Sequence, residues 1–226
     1  MLGTILKSNA QRQFLLSLFV AGLVSIGLYL YGAIKGYSDS FSYLPWNLFL
    51  AALPLVFALR LTTVLRVKSW STWEPTIWSL VWLLFLPNSF YMISDFIHLG
   101  VVPPSTILYT VVLFTSFIFL GVVLGLCSLC LVHRELVRRI SARWSAVLIG
   151  LILLGSSFAI YIGRDLRWNS WDVLVSPAGL LFDISDRLLK PEAYPGMFVT
   201  VASFFVLLAS LYGVLWSAVR VLRRSV

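Results

Sequence analysis

Residues 85–99 read "FLPNSFYMISDFIHL". The stretch begins as apolar as a lipid tail, is interrupted at Pro87-Asn88, and closes on Asp95 and His98. What those four groups mean depends on the solvent around them, and composition supplies that. Of 226 residues, 60% are hydrophobic and 12% charged, with a mean hydropathy of +0.94. A soluble domain carries about 25% charge, so the expected solvent is lipid.

Six segments reach the roughly 20 apolar residues that cross a bilayer core. They are 14–34, 44–65, 75–93, 107–131, 145–163 and 197–219. The expected fold is all-α: a polytopic bundle of six transmembrane helices forming one integral membrane domain over 1–226. The first segment is longer than a usual signal-peptide core and no small-x-small cleavage site follows it. It is therefore expected to be retained.

Net charge is +8. Lys and Arg gather in loops on the cytoplasmic side of a membrane. With the N-terminus inside, twelve of the 17 basic residues fall inside, among them Lys7, Arg12, Arg60, Arg66 and Lys68. Lys35, Arg164, Arg167, Arg187 and Lys190 fall outside. The acids are reversed, with only Glu74 and Glu135 inside. Both termini are thus expected in the cytoplasm. The basic excess then calls for no nucleic acid, and no basic–aromatic binding module is visible. Trp46, Trp168 and Trp171 fall at the expected outer boundary, and Trp70, Trp73, Trp144 and Trp216 at the inner one, where indoles are favoured.

The connections are short except for residues 164–196. Within that loop Ser176-Pro177 has the form of an N-cap followed by proline at the first helical position. Leu180, Leu181, Ile184 and Leu188 share one side of the helix that follows; Asp183, Asp186, Arg187 and Lys190 share the other. The expectation is an amphipathic interfacial helix over 177–189, serving as a packed cover or a mobile lid.

The opening stretch is the outer end of the third span. At about 100° per residue, Asn88, Tyr91, Asp95 and His98 form one polar stripe, provided the helix persists past Pro87. Phe90, Ile93 and Ile97 face away. A carboxylate at that depth is costly without a partner. Arg164, at the outer end of the fifth span, is at matching height, and its guanidinium fork could hold Asp95 bidentately. Gly163 beside it would permit close helix approach. Asn47 opens the second span from the same side. Asp165, Arg167, Asn169 and Asp172 follow Arg164.

Candidate ligand-binding residues are therefore Asn47, Asn88, Tyr91, Asp95, His98, Arg164, Asp165, Asn169 and Asp172, with Asp95 and His98 the acid/base candidates. The same cluster could instead be a satisfied network that fixes helix register. His98 is the only histidine on its side, and zinc sites take several His or Cys ligands, so neither a metal nor a cofactor is expected. Cys127 and Cys130 lie among leucines on the reducing side, where helix packing is expected rather than redox work. The basic run at 133–140 has the form of a stop-transfer flank touching anionic lipid.

Three stretches carry a resemblance: "WNLFLAALPL" (46–55), "FLPNSFYMISDFIHL" (85–99) and "GRDLRWNSWD" (163–172). Together they resemble the bacterial membrane-protein family catalogued as domain of unknown function 1361. Its pattern falls on Pro87, Asn88, Asp95, His98 and Leu99, and on Gly163, Arg164, Asn169, Ser170, Trp171 and Asp172. Ser89-Phe90 stands where Ala-Pro is commoner. The resemblance implies a multi-pass protein of a bacterial inner membrane and no particular activity. A thylakoid membrane fits the sequence equally.

Three functions are thus set against one another. The first is an outward-facing polar pocket that binds or processes an envelope-side ligand, such as an anionic or lipid-linked head group, and leaves open whether the protein is an enzyme. The second is a structural or assembly subunit with a membrane-protein partner. The third is a transporter.

Overall fold

The computed structural model describes residues 9–37 and 39–224. Lys7, counted above among the inner basic residues, lies outside them. The described chain is all-helical: α1 (Asn9–Ile34), α2 (Tyr43–Val64), α3 (Trp73–Tyr91), α4 (Ile107–Val137), α5 (Ala142–Asp165), α6 (Asp172–Val175), α7 (Pro177–Leu189) and α8 (Pro195–Arg224). Six of these, with α3 extended to Val101, are long and apolar enough to span a membrane. The protein is a multi-pass membrane bundle of six spans with additional short helices.

Local sequence sets the helix ends. Thr72 stands in extended backbone before α3, whose first turn holds Glu74 and Pro75; acid and proline both suit a helix start. The Ser141 hydroxyl accepts from the Trp144 amide at the start of α5. Pro177 occupies the first turn of α7, which covers the expected 177–189.

α2, α3 and α4 pack as the central group, with α1 against α4, α5 against α3, and α8 against α5. Trp82, Phe90, Phe114 and Phe117 are fully buried in this core. Two glycines on α4 set its distance from the end of α3. A Cβ on Gly125 would lie 2.6 Å from the Ser89 Cβ, and one on Gly121 would lie 2.7 Å from the Met92 sulfur. At the same crossing Ser89 donates to the Ala51 carbonyl at 2.7 Å, tying α3 to α2.

The third span departs from its expected form. α3 passes Pro87 and ends at Tyr91, and Met92–Val101 continues as a 3-10 helix. The Ser94 hydroxyl donates to the Tyr91 carbonyl at 2.7 Å inside this tighter coil. With three residues per turn, positions i and i+3 stack, so Asp95 and His98 align more closely than an α-helix would place them.

The basic flank also differs. α4 runs to Val137, and His133 and Glu135 are buried within the bundle. Arg139 bonds Glu135 and donates to the Leu65 carbonyl at 2.9 Å. It therefore closes the end of α2 instead of reaching for lipid. Arg60, one of the inner basic residues, pairs with Glu74 at 3.0 Å. Cys127 and Cys130 are free thiols, half-buried in the core.

Candidate functional site

A cavity of about 520 Å³ lies at the end of the bundle where α2 begins and α3 and α5 finish. This is within the range of roughly 300–1,000 Å³ usual for small-molecule sites. α2 contributes Tyr43, Trp46, Asn47 and Leu50. The third span contributes Leu84, Pro87, Asn88, Tyr91, Asp95 and His98. α5 lines the opposite wall from Gly155 to Arg164, and Trp168, Asn169, Ser170, Leu180 and Ile184 close the end.

Seven of the nine candidate residues therefore meet in one cavity: Asn47, Asn88, Tyr91, Asp95, His98, Arg164 and Asn169. Asp165 and Asp172 do not line it. Asp165 is exposed on α5, one residue and about 100° round the helix from Arg164. Asp172 is spent on the corner, where its Oδ2 accepts from the Asn169 amide at 2.6 Å. That bond follows Arg167, a non-glycine residue in left-handed backbone at φ 60°, and the corner turns Asn169 and Ser170 into the cavity.

Asp95 is only 1% exposed yet loosely held. Asn47 donates to its Oδ2 at 3.5 Å, and Arg164 Nη1 lies 3.6 Å from its Oδ1. Both exceed the usual 2.7–3.2 Å of an N–H···O bond. The expected bidentate pair does not form, because the 3-10 turn brings other acceptors to the guanidinium. Arg164 Nη2 donates to the Ser94 carbonyl at 3.0 Å and faces His98 Nε2 at 3.2 Å. Its Nη1 also reaches the Tyr91 hydroxyl at 3.4 Å. A guanidinium only donates, so His98 Nε2 is the accepting nitrogen and the ring proton sits on Nδ1.

Gly163 has the role its size implied. A Cβ there would approach the Tyr91 ring to 3.3 Å, so glycine lets α5 bring Arg164 against the third span. Asn88 bridges two elements, donating to the Phe85 carbonyl at 3.0 Å and the Ser170 hydroxyl at 2.9 Å.

Tyr43 escaped the sequence reading. Its ring sits 5.4 Å from that of His98, and its hydroxyl is buried without a partner. A tyrosine opening the second span at the height of Asp95 was the available signal.

α7 covers the cavity's end. Leu180 and Ile184 pack with Tyr161, Ile162 and Met197, and Trp168 Nε1 donates to Asp183 at 2.8 Å. Leu181 and Leu188, expected on the same apolar side, stay exposed. At the far end of α7, donors from Lys190 and then Tyr194 hold the Asp186 carboxyl below its usual range. A second, more open hollow lies across Arg164, lined by Tyr91, His98, Arg164, Arg167 and Asn169 among others.

No curated protein and no solved structure matches the chain significantly. One protein family does, described as "Protein of unknown function (DUF1361)", over residues 46–209. That span includes all three motif stretches and every wall of the cavity except Tyr43. The chain belongs to the DUF1361 family.

Proposed function

We propose that this protein is a single membrane domain whose cavity binds an anionic group at the outer face of a bacterial cytoplasmic membrane. The observation that carries this reading is the loose hold on Asp95, whose only near partners among the described residues, Arg164 and Asn47, stand at 3.6 and 3.5 Å. A structural ion pair between buried groups should be tight and satisfied, because desolvating both charges is repaid only by good geometry. Here the pair is 3.6 Å apart beside open volume and an unpartnered Tyr43 hydroxyl.

Arg164 supplies charge for the anion. Asn47, Tyr43 and Asn169 supply neutral polar contacts, and Asp95 can accept from a ligand hydroxyl or amine. Asp95 and His98 are the groups able to move a proton should the ligand be processed there. The outward placement follows from the distribution of basic residues.

Transport is not supported. Among the described residues the cavity ends on Leu50, Leu84 and Gly155, and charged groups at the opposite end pair with one another: Arg60 and Lys68 with Glu74, Arg138 and Arg139 with Glu135.

The test uses Arg164→Gln and Asp95→Asn, each expressed in cells lacking the native gene. Both variants are expected to accumulate in the membrane at near wild-type level yet fail to restore the deletion phenotype. If both simply fail to accumulate, the pair is structural and the binding function is wrong. That outcome would favour an assembly subunit docked to another membrane protein.

A further inference from the structure

We infer that the ligand is a lipid, held by a head group that bears both phosphate and hydroxyl groups, with its chain leaving sideways between α2 and α5. This rests on the anion-binding function proposed above and adds the class of molecule and its route.

The shape of the cavity supports the chain. Its polar groups gather at one end, and its walls become apolar along each helix away from that end. On α5 the lining passes from Arg164 through Ala159 and Phe158 to Gly155. Nine residues of helix at 1.5 Å each make this descent about 14 Å. On α2 and α3 the walls finish at Leu50 and Leu84. A head group alone would need no such extension.

The cavity is also open on its flank. Gly155 lies within a span, is exposed, and has no atom within 4 Å of where its Cβ would stand. Trp46, on the facing wall, is 54% exposed. Surface exposed at this depth faces lipid. At the polar end α7 and the Trp168 corner cover one side, while the second hollow across Arg164 leaves the other open. The flank opening adds a route from the bilayer to the apolar walls, which suits an amphiphile.

Charge and hydrogen bonding select the head group. Arg164, with Arg167 in the adjoining hollow, gives two cations against the single carboxylate of Asp95. A phosphate at Arg164 satisfies the positive excess. Asp95 only accepts when ionised, so the same head group must offer it a donor. A hydroxyl-bearing phosphate meets both demands; an unsubstituted fatty acid meets only the first.

The experiment places the purified full-length protein in phosphatidylcholine nanodiscs. It compares the binding of lysophosphatidic acid, which bears a phosphate and a free hydroxyl, with that of sn-glycerol 3-phosphate, which has the head chemistry without the chain. Gly155→Phe fills the flank opening at a position with free space around it. Gly150→Phe, also in open space on α5 but away from the cavity, is the control.

The lipid is expected to bind wild-type protein at least tenfold more tightly than glycerol phosphate. Gly155→Phe should lose that advantage while keeping glycerol phosphate binding, and Gly150→Phe should keep both. Arg164→Gln should lose both. Equal binding of the two probes, unaffected by Gly155→Phe, would overturn the lipid inference and leave the anion site standing. Loss of lipid binding in Gly150→Phe as great as in Gly155→Phe would overturn the flank route. Binding of neither probe by the wild type would overturn the anion site as well.

Discussion

Arg164 shows how much one side chain's surroundings depend on backbone that sequence spacing does not specify. Matching depth along two spans was enough to bring Arg164 and Asp95 together. It was not enough to give their geometry, because the backbone after Tyr91 is not an α-helix. The 3-10 coil of Met92–Val101 turns the Ser94 carbonyl and His98 toward the guanidinium, and the fork is divided among several acceptors. Asn88 is the converse case. It was placed in the cavity wall, and it does line it, but its amide also ties α3 to the corner through Ser170. Asn88→Ala and Ser170→Ala, measured alone and together by unfolding in mild detergent, should show a coupling of about 1 kcal/mol. Strict additivity would mean that the bond contributes nothing to holding the corner.

Among the elements, the spans were legible because length and apolar character suffice to identify them. Their ends were less so. α4 runs six residues beyond its expected end at 131, since Glu135 is neutralised by Arg138 and Arg139 and can be buried. A window of hydropathy cannot register that pairing. The crossing of α3 and α4 was not legible either. Gly121 and Gly125 are two small residues in an apolar run, and only the packed structure shows what they admit. Gly125→Ala would place a methyl within 3 Å of Ser89 and Phe90. It should destabilise the bundle by roughly 1–3 kcal/mol, as overpacking generally does. Gly150→Ala, in open space inside α5, should leave stability unchanged or raise it by up to about 1 kcal/mol, because alanine is the better helix former. Equal effects in a thermal-shift comparison would show that the α3–α4 contact is looser than described. The consequence reaches the site, because Ser89 and Phe90 lie in the last turn of α3, just ahead of the coil that carries Asp95.

For the whole molecule, the arrangement of spans divides labour between two ends. The end with Glu74 and Glu135 is closed by paired charges, and the other keeps polar groups whose bonding is incomplete. α1 and α8 bury little of themselves in the bundle and present apolar flanks suited to lipid. α2, α3 and α5 enclose the cavity. The sequence made the clustering at one end visible, because Asn47, Asp95 and Arg164 all fall where spans begin or finish on the same side. It could not show the volume between them, or the opening beside Gly155, since both depend on how far apart α2 and α5 are held. Lipid in the cavity can be seen in an electron cryomicroscopy map of the protein in nanodiscs containing phosphatidylglycerol. The map should contain elongated density with its head within hydrogen-bond reach of Arg164 and its tail passing Gly155. A cavity without such density, with Arg164 and Asp95 closed into a tight bidentate pair, would contradict lipid binding there.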